Sequence, residues 1–278
     1  MRENPLSFHT IVMSRGDIVI PASHVAADQL AAWKPDWKTE IVGKTLAKRA
    51  GAFVDVGANC GQTLIDYFAA PITTSYFGFE PNHHCVSALS DIIRVNGRSD
   101  CLLIPAGLAD ENAVRKLLLE KDSMIDSSAS IEIDLRPDRD WDVQFVACYK
   151  FDDIRPQVGI SDIALVKIDI EGAELSALRG MKETLKEGCW ILCEVLHRDS
   201  RVREAIHGQR MSDLMSFIVD LDYICLNVEK SDDGGAVLGL VNMAQFPNKI
   251  WTWDNAAECD YMFVPRCDAD LAARLFVK

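Results

Sequence analysis

At 278 residues the chain is long enough for one full α/β core with an extension, and short for two independent domains. A hydrophobic fraction of 49% and a charged fraction of 26% are ordinary for a soluble globular protein. The net charge of −13 and pI of about 4.9 argue against a nucleic-acid backbone or an anionic membrane as partner, because phosphate recognition wants a basic face.

The nine cysteines form no C-x-x-C pair, and several fall inside apolar, strand-like runs. They read as buried free thiols in a reducing compartment, with a cytoplasmic location expected. Met1 to Thr10 has no apolar centre and does not read as a signal peptide. No apolar run reaches 18 residues, so no membrane span is expected.

Residues 1–50 read as an N-terminal cap or packing extension, with a short strand at Asp17–Ile20 and helices at Ala26–Lys34 and Ile41–Arg49. Residues 51–278 read as one α/β domain. Ala52–Val56 predicts a strand, Gln62–Ala70 a helix, and Thr74–Phe79 a second strand ending at Glu80. Pro81-Asn82 opens a helix to about Val95, and Cys101–Pro105 predicts a third strand. This alternation is the first half of a doubly wound, mostly parallel sheet. Val114–Leu119 and Val143–Tyr149 then alternate as a β excursion around a serine-rich loop, Ser123 to Ser130, that either shapes a pocket or is a solvated hairpin. The α/β pattern resumes with strands at Ile163–Ile170, Cys189–Leu196 and Tyr223–Val228 and helices over 171–187 and Met211–Leu221. Glu229 to Asn255 reads as a long loop, and Tyr261–Val264 as a late antiparallel strand. The expected sheet has seven strands.

The stretch Ala52-Phe-Val-Asp-Val-Gly-Ala-Asn-Cys-Gly61 is the most informative. It places a buried strand, a tight turn and a helix start in succession, which lets a nucleotide-like ligand approach bare backbone. Positions 57, 59 and 62 are Gly57, Asn59 and Gln62, so the dinucleotide fingerprint G-x-G-x-x-G fails. Asp55 precedes the first glycine. The spacing D-x-G-x-x-x-G resembles the cofactor turn of Rossmann-like, class I S-adenosylmethionine-dependent methyltransferases.

Together with Phe77-Gly-Phe-Glu-Pro-Asn82, Leu165-Val-Lys-Ile-Asp-Ile-Glu-Gly-Ala-Glu-Leu175, Ala177-Leu-Arg-Gly-Met181 and Ile191-Leu-Cys-Glu194, these residues resemble the FkbM family of methyltransferases over roughly residues 50–265. The resemblance implies a Rossmann-like methyltransferase fold, S-adenosylmethionine as donor, and an oxygen acceptor on a small molecule such as a sugar or natural product. It implies cofactor contacts from Asp55, Gly57, Ala58, Asn59, Gly61, Gln62, Glu80, Pro81, Gly107, Asp169 and Glu171. The expected catalytic groups are His197, Asp169, Lys167 and Glu194, with no resident metal.

Each residue also has a plainer reading. Glu80 ends the second strand, where a carboxylate accepts both ribose hydroxyls or instead caps the next helix. Asn59 contacts the methionine carboxylate or makes a turn bond. Asp55 meets the cationic methionine end or orders the glycine turn. Lys167 and Asp169 share a strand face and line the cleft, or pair to close the sheet edge. His197, three residues after Glu194, is a general base or a surface histidine. Asp169, Glu194 and His197 also compose a magnesium site, a reading with no further ligand motif behind it. Two rival functions stand beside the methyltransferase: a nicotinamide-dependent oxidoreductase, and a non-catalytic S-adenosylmethionine-binding module.

Overall fold

The structure, a computed structural model, describes residues 7–13, 16–132, 140–196, 204–231, 235–240, 252 and 258–276. It opens with an antiparallel hairpin, β1 (Phe8–Ile11) and β2 (Ile18–Pro21), then α1 (Ala27–Ala31) and α2 (Trp37–Lys48). Helix α2 starts four residues before the sequence reading, because Asp36 caps it. The Asp36 carboxylate accepts from the Lys38 and Thr39 amides, and the Thr39 hydroxyl accepts from the Asp36 amide.

The α/β body follows: β3 (Ala52–Val56), α3 (Gln62–Ala69), β4 (Tyr76–Phe79), α4 (His83–Val95) and β5 (Cys101–Ile104). A small sheet comes next, β6 (Gly107–Leu108), β7 (Ala113–Glu120) and β8 (Trp141–Tyr149), in the order β6-β8-β7. After the short α5 (Phe151–Ile154) come β9 (Ile163–Ile168), α6 (Glu174–Gly180), α7 (Lys182–Leu185) and β10 (Trp190–Glu194). The chain ends with α8 (Glu204–Asp220), β11 (Tyr223–Lys230), β12 (Ala236–Leu240), β13 (Asp260–Pro265) and α9 (Ala269–Phe276).

The central sheet has eight strands in the order β12-β11-β13-β10-β9-β3-β4-β5. Strands β5, β4, β3, β9 and β10 run parallel, while β13 enters antiparallel between β10 and β11. This corrects the expected count of seven. The extra strand, β12, lies inside what reads from sequence as the long loop after Glu229, and among the described strands it pairs with β11 alone, at the sheet edge. The single helix expected over 171–187 is two short ones, with residues 171–173 remaining outside either.

Every residue of β3 and β9 is buried, as a parallel sheet covered on both faces requires. Alternate residues feed two cores. Phe53, Leu165 and Trp190 join one with α2, α3 and α4, while Val54, Val166 and Ile191 join the other with α6 and α8. Ile11, Ile18, Ile20, Leu30 and Ile41 belong to the first core, so the N-terminal segment shares the core of the sheet. The main chain of Val19 exchanges two hydrogen bonds with the Asn96 amide at the end of α4, at 2.8 and 2.7 Å. No described helix is long and apolar enough to cross a membrane.

Candidate active site

The parallel strands bring Asp55, Glu80, Asp169 and Glu194 to one edge of the sheet, at or just beyond their carboxyl ends. The turn after β3 is held tightly against its neighbours. The Gly57 amide donates to Phe79 O (2.9 Å), and the Asp169 amide to Val56 O (3.1 Å). Gly57 has φ +80°, and a Cβ on it would stand 2.0 Å from Asp169 O. Only glycine fits where these two strand ends touch.

A cleft opens beyond this turn. Gly57, Asn59, Glu80, Pro81, Gly107, Asp169 and Glu171, all predicted from sequence, line it. Ala58 is buried beneath the turn, while Gly61 and Gln62 mark the start of α3, away from the cleft lining.

Glu80 is 7% exposed and holds the turn together. Its Oε2 accepts from the Asn59 amide and its Oε1 from the Asn82 amide, both at 2.8 Å. Burial pushes its carboxyl up to about 7, against the pull of these two amides and of Lys167. Each oxygen keeps a lone pair for a ligand hydroxyl. The helix cap is Asn82, which accepts from the His84 amide at 3.0 Å; Glu80 is not the cap. The Asn59 side chain turns back to accept from the Cys60 amide (2.6 Å), so its oxygen makes the turn bond while the residue still lines the cleft.

Asp55 and Lys167 lie behind the cleft lining, in the arrangement of the plainer of the two readings given for each. Asp55 is fully buried; one oxygen accepts from the Tyr76 hydroxyl at 2.7 Å and the other lies 3.4 Å from Lys167 Nζ. Lys167 Nζ donates to Gly57 O (3.2 Å) and lies 3.3 Å from Asp169 Oδ2. Burial alone would neutralise the ammonium, but the Asp169 and Asp55 carboxylates reverse this and hold its pKa above the usual lysine range. Asp55 on β3, Lys167 on β9 and Asp169 just after β9 thus form a chain of charges, of which Asp169 reaches the cleft lining.

Glu194 stands next to Asp169 and hydrogen-bonds it. It faces Asp260 across the β10–β13 register, and Asp260 pairs with Lys230 at 2.8 Å. Burial first, then the charges of Asp169, Asp260 and Glu171, push Glu194 up to about 9. Burial also works against ionising Asp169, but Lys167 and then Lys38 outweigh it and keep Asp169 below the usual carboxylate range. The two environments push in opposite directions, Asp169 toward the carboxylate and Glu194 toward the neutral acid. Glu194 does not line the cleft directly. His197 lies outside the described residues, so its place as base or magnesium ligand has no geometry here.

The far wall comes from the serine-rich loop. Leu117, Asp126, Ser127, Ser130 and Ile131 line the cleft. The loop is tied to the cofactor-side strands at both ends: Asn82 Nδ2 donates to Met124 O (3.0 Å) and Ser130 Oγ to Glu171 O (2.8 Å). Asn82, Cys85, Leu117 and Ile131 do not read as site residues from sequence, whereas the loop with Asp126, Ser127 and Ser130 does in one of its two readings, the pocket-shaping one.

The cleft lining carries four carboxylates, Glu80, Asp126, Asp169 and Glu171, and among its described residues no lysine or arginine. A pyrophosphate is repelled here, which counts against a nicotinamide dinucleotide. A diol beside Glu80, a flat base against Leu108, Leu117 and Ile131, and a cationic sulfur near Asp169 all suit the lining, and that set composes S-adenosylmethionine.

A search of curated proteins returns no match. Among solved structures, the chain is similar to the methyltransferase FkbM of Methylobacillus flagellatus KT, at 16% identity and TM-score 0.45, over 77% of this chain and 43% of that one. It thus spans less than half of that protein's length. It is also similar to a precorrin-6y C5,15-methyltransferase of Geobacter metallireducens GS-15 (10% identity, TM-score 0.38, 81% and 86% of the two chains). A SAM-dependent methyltransferase of Aquifex aeolicus gives 7% identity, TM-score 0.39, and coverage of 82% and 89%. Likenesses at this level decide nothing about chemistry. The family model described as the methyltransferase FkbM domain matches residues 55–225, more than half of the chain and the whole run from Asp55 through Glu194. The chain belongs to the FkbM methyltransferase family, with S-adenosylmethionine as its methyl donor.

Proposed function

We propose that the chain is an O-methyltransferase acting on a hydroxyl of a small molecule, a sugar or another natural product. The observation that carries this reading is the Asp169 carboxylate at the cleft lining, held 3.3 Å from the Lys167 ammonium. An alcohol must lose a proton as its oxygen takes up a methyl group, and a placed carboxylate accepts that proton. When bound, S-adenosylmethionine supplies an electrophilic methyl on a cationic sulfur.

In this reading Glu80 holds the ribose hydroxyls, and the backbone of Gly57 and Asn59 faces the methionine end. Lys167 is a positioning residue that fixes Asp169, and His197 is the rival base. Residues 1–50 act as a cap through the start of α2, where Trp37 lies 4.5 Å from Lys230 Nζ, itself paired with Asp260. Nine cysteines and an acidic surface fit a cytoplasmic enzyme without a nucleic-acid partner.

Calorimetric titration with S-adenosylhomocysteine tests the site, and an acceptor screen with labelled donor tests the reaction. Glu80→Ala is expected to weaken binding at least about tenfold, the worth of one hydrogen bond to a charged group. Asp169→Asn is expected to keep binding but lose turnover by about 100-fold or more, as for a lost general base. Methylated amines with no methylated alcohol among the products would overturn the oxygen assignment. Full turnover by Asp169→Asn alongside a dead His197→Ala would move the base to His197.

A further inference from the structure

Cys60 and Cys85 play no part in the chemistry above, yet they lie at its edge. Cys60 sits in the turn between β3 and α3, and Cys85 in the first turn of α4. Their Sγ atoms are 3.6 Å apart, and the residues are 1% and 2% exposed. Cys85 lines the cleft with Asn59 and Glu80 beside it. We infer that this pair is an oxidation site for a small peroxide, and that its closure to a disulfide disables the cofactor cleft. The inference rests on the cofactor reading only for its consequence, since the pair itself is defined by the geometry of two sulfurs.

A disulfide needs the sulfurs at about 2.05 Å, so closure brings the two Sγ atoms about 1.5 Å closer and shifts the residues that carry them. Asn59 lies against both residues. Asn59 Oδ1 accepts from the Cys60 amide at 2.6 Å and lies 3.9 Å from Cys85 Sγ. The Asn59 amide in turn holds Glu80 Oε2 at 2.8 Å. Moving Cys60 toward Cys85 therefore displaces Asn59, and with it one of the two amides that orient the Glu80 carboxylate.

The chemistry balances with hydrogen peroxide as oxidant. Cys60, as its thiolate, attacks one peroxide oxygen; an S–O bond forms, the O–O bond breaks, and the departing hydroxide takes the thiol proton as water. Cys85 then attacks the Cys60 sulfur; the S–S bond forms, the S–O bond breaks, and a second water leaves with the Cys85 proton. Two thiols are oxidised and one peroxide is reduced to two waters. The contact with Cys85 lowers the Cys60 thiol despite burial, while the same contact raises Cys85, which suits attack by Cys60 and resolution by Cys85. A peroxide entering the cleft passes the Cys85 side chain to reach Cys60, and a bound cofactor blocks that approach.

The test treats the full chain with equimolar hydrogen peroxide, with and without S-adenosylhomocysteine, and maps peptides under alkylating, non-reducing conditions. We expect a peptide linking Cys60 to Cys85, formed more slowly when S-adenosylhomocysteine is present. The oxidised protein should bind S-adenosylhomocysteine about tenfold more weakly or worse, restored by a dithiol reductant. Cys85→Ser should give no link, and its affinity should match that of its own untreated sample after peroxide. The exposed Cys267 serves as control for oxidant delivery. A map in which Cys267 is oxidised while Cys60 and Cys85 remain separate thiols overturns the inference. A link that leaves affinity unchanged overturns it equally. Untreated protein that fails to bind S-adenosylhomocysteine overturns the cofactor assignment instead, while the peptide map still decides whether the pair reacts.

Discussion

Glu80 spends its two oxygens on two backbone amides and still sits high, at about 7, because burial outweighs both. A diol ligand adds donors that favour the ionised form, so binding draws the proton off. The sign follows: affinity for S-adenosylhomocysteine should be full above pH 7 and fall by up to about tenfold per pH unit below it. Titration at pH 5.5, 7 and 8.5 checks this, and Glu80→Gln should bind weakly with no such dependence on pH; a flat wild-type profile would exclude the proton coupling. The residues around Glu80 also mark how far sequence reasoning reaches. A carboxylate at the end of the second strand is visible as Glu80-Pro81. That Asp55 and Lys167 point away from the cleft is not, because two charged side chains on a strand fit a lined cleft and a buried ion chain equally well. What separates the two is the identity of the neighbours across β3, β4 and β9, and these are long-range pairings.

At the level of elements, α2 is fastened to α3 through a buried acid. Asp66 is 4% exposed, and its Oδ1 accepts from the Thr39 hydroxyl (2.6 Å) and the Trp33 indole (3.0 Å). Burial pushes its carboxyl up to about 6, more than these two bonds pull it down. A raised folded pKa means the protonated form is the stabilised one. Its contribution is whole below pH 4 and fades as pH climbs toward 6. Asp66→Asn keeps the accepting oxygen and removes the charge. Relative to wild type, the variant should therefore gain stability between pH 4 and pH 7, by up to about 3 kcal/mol. Urea denaturation at the two pH values measures the difference, and a gap that shrinks with rising pH would contradict it. The elements that sequence hides have physical reasons as well. Strand β12 is an edge strand amid aspartate and glycine; among the described strands it pairs with β11, and its first amide donates to the Glu40 carboxylate of α2 at 2.8 Å. Helix α2 looks shorter in sequence because its first turn is polar and depends on the Asp36 cap.

Across the whole molecule, the legible part of the site is the part built on strand ends, since each of Gly57, Glu80 and Asp169 closes an apolar run that reads as buried. The outer wall is illegible for the complementary reason: Met124 and Ser130 take their places from Asn82 and Glu171, 42 and 41 residues away in the chain. The cleft therefore joins β3, β4 and β9 to the β7–β8 excursion, and a ligand in it braces elements that otherwise meet through a few hydrogen bonds. That makes cofactor binding readable as global stability. A ligand at 100 times its dissociation constant adds about 2.7 kcal/mol to a fold that binds it only when native. For a chain of this size that is a rise in Tm of roughly 5–10 °C. S-adenosylhomocysteine should produce it, and NAD should not, because the four lining carboxylates meet its pyrophosphate with like charge. Glu80→Ala should lose most of the rise while keeping a cooperative transition. An equal rise with NAD would mean that the cleft accepts phosphate after all, and that cations from outside the described residues offset its acids.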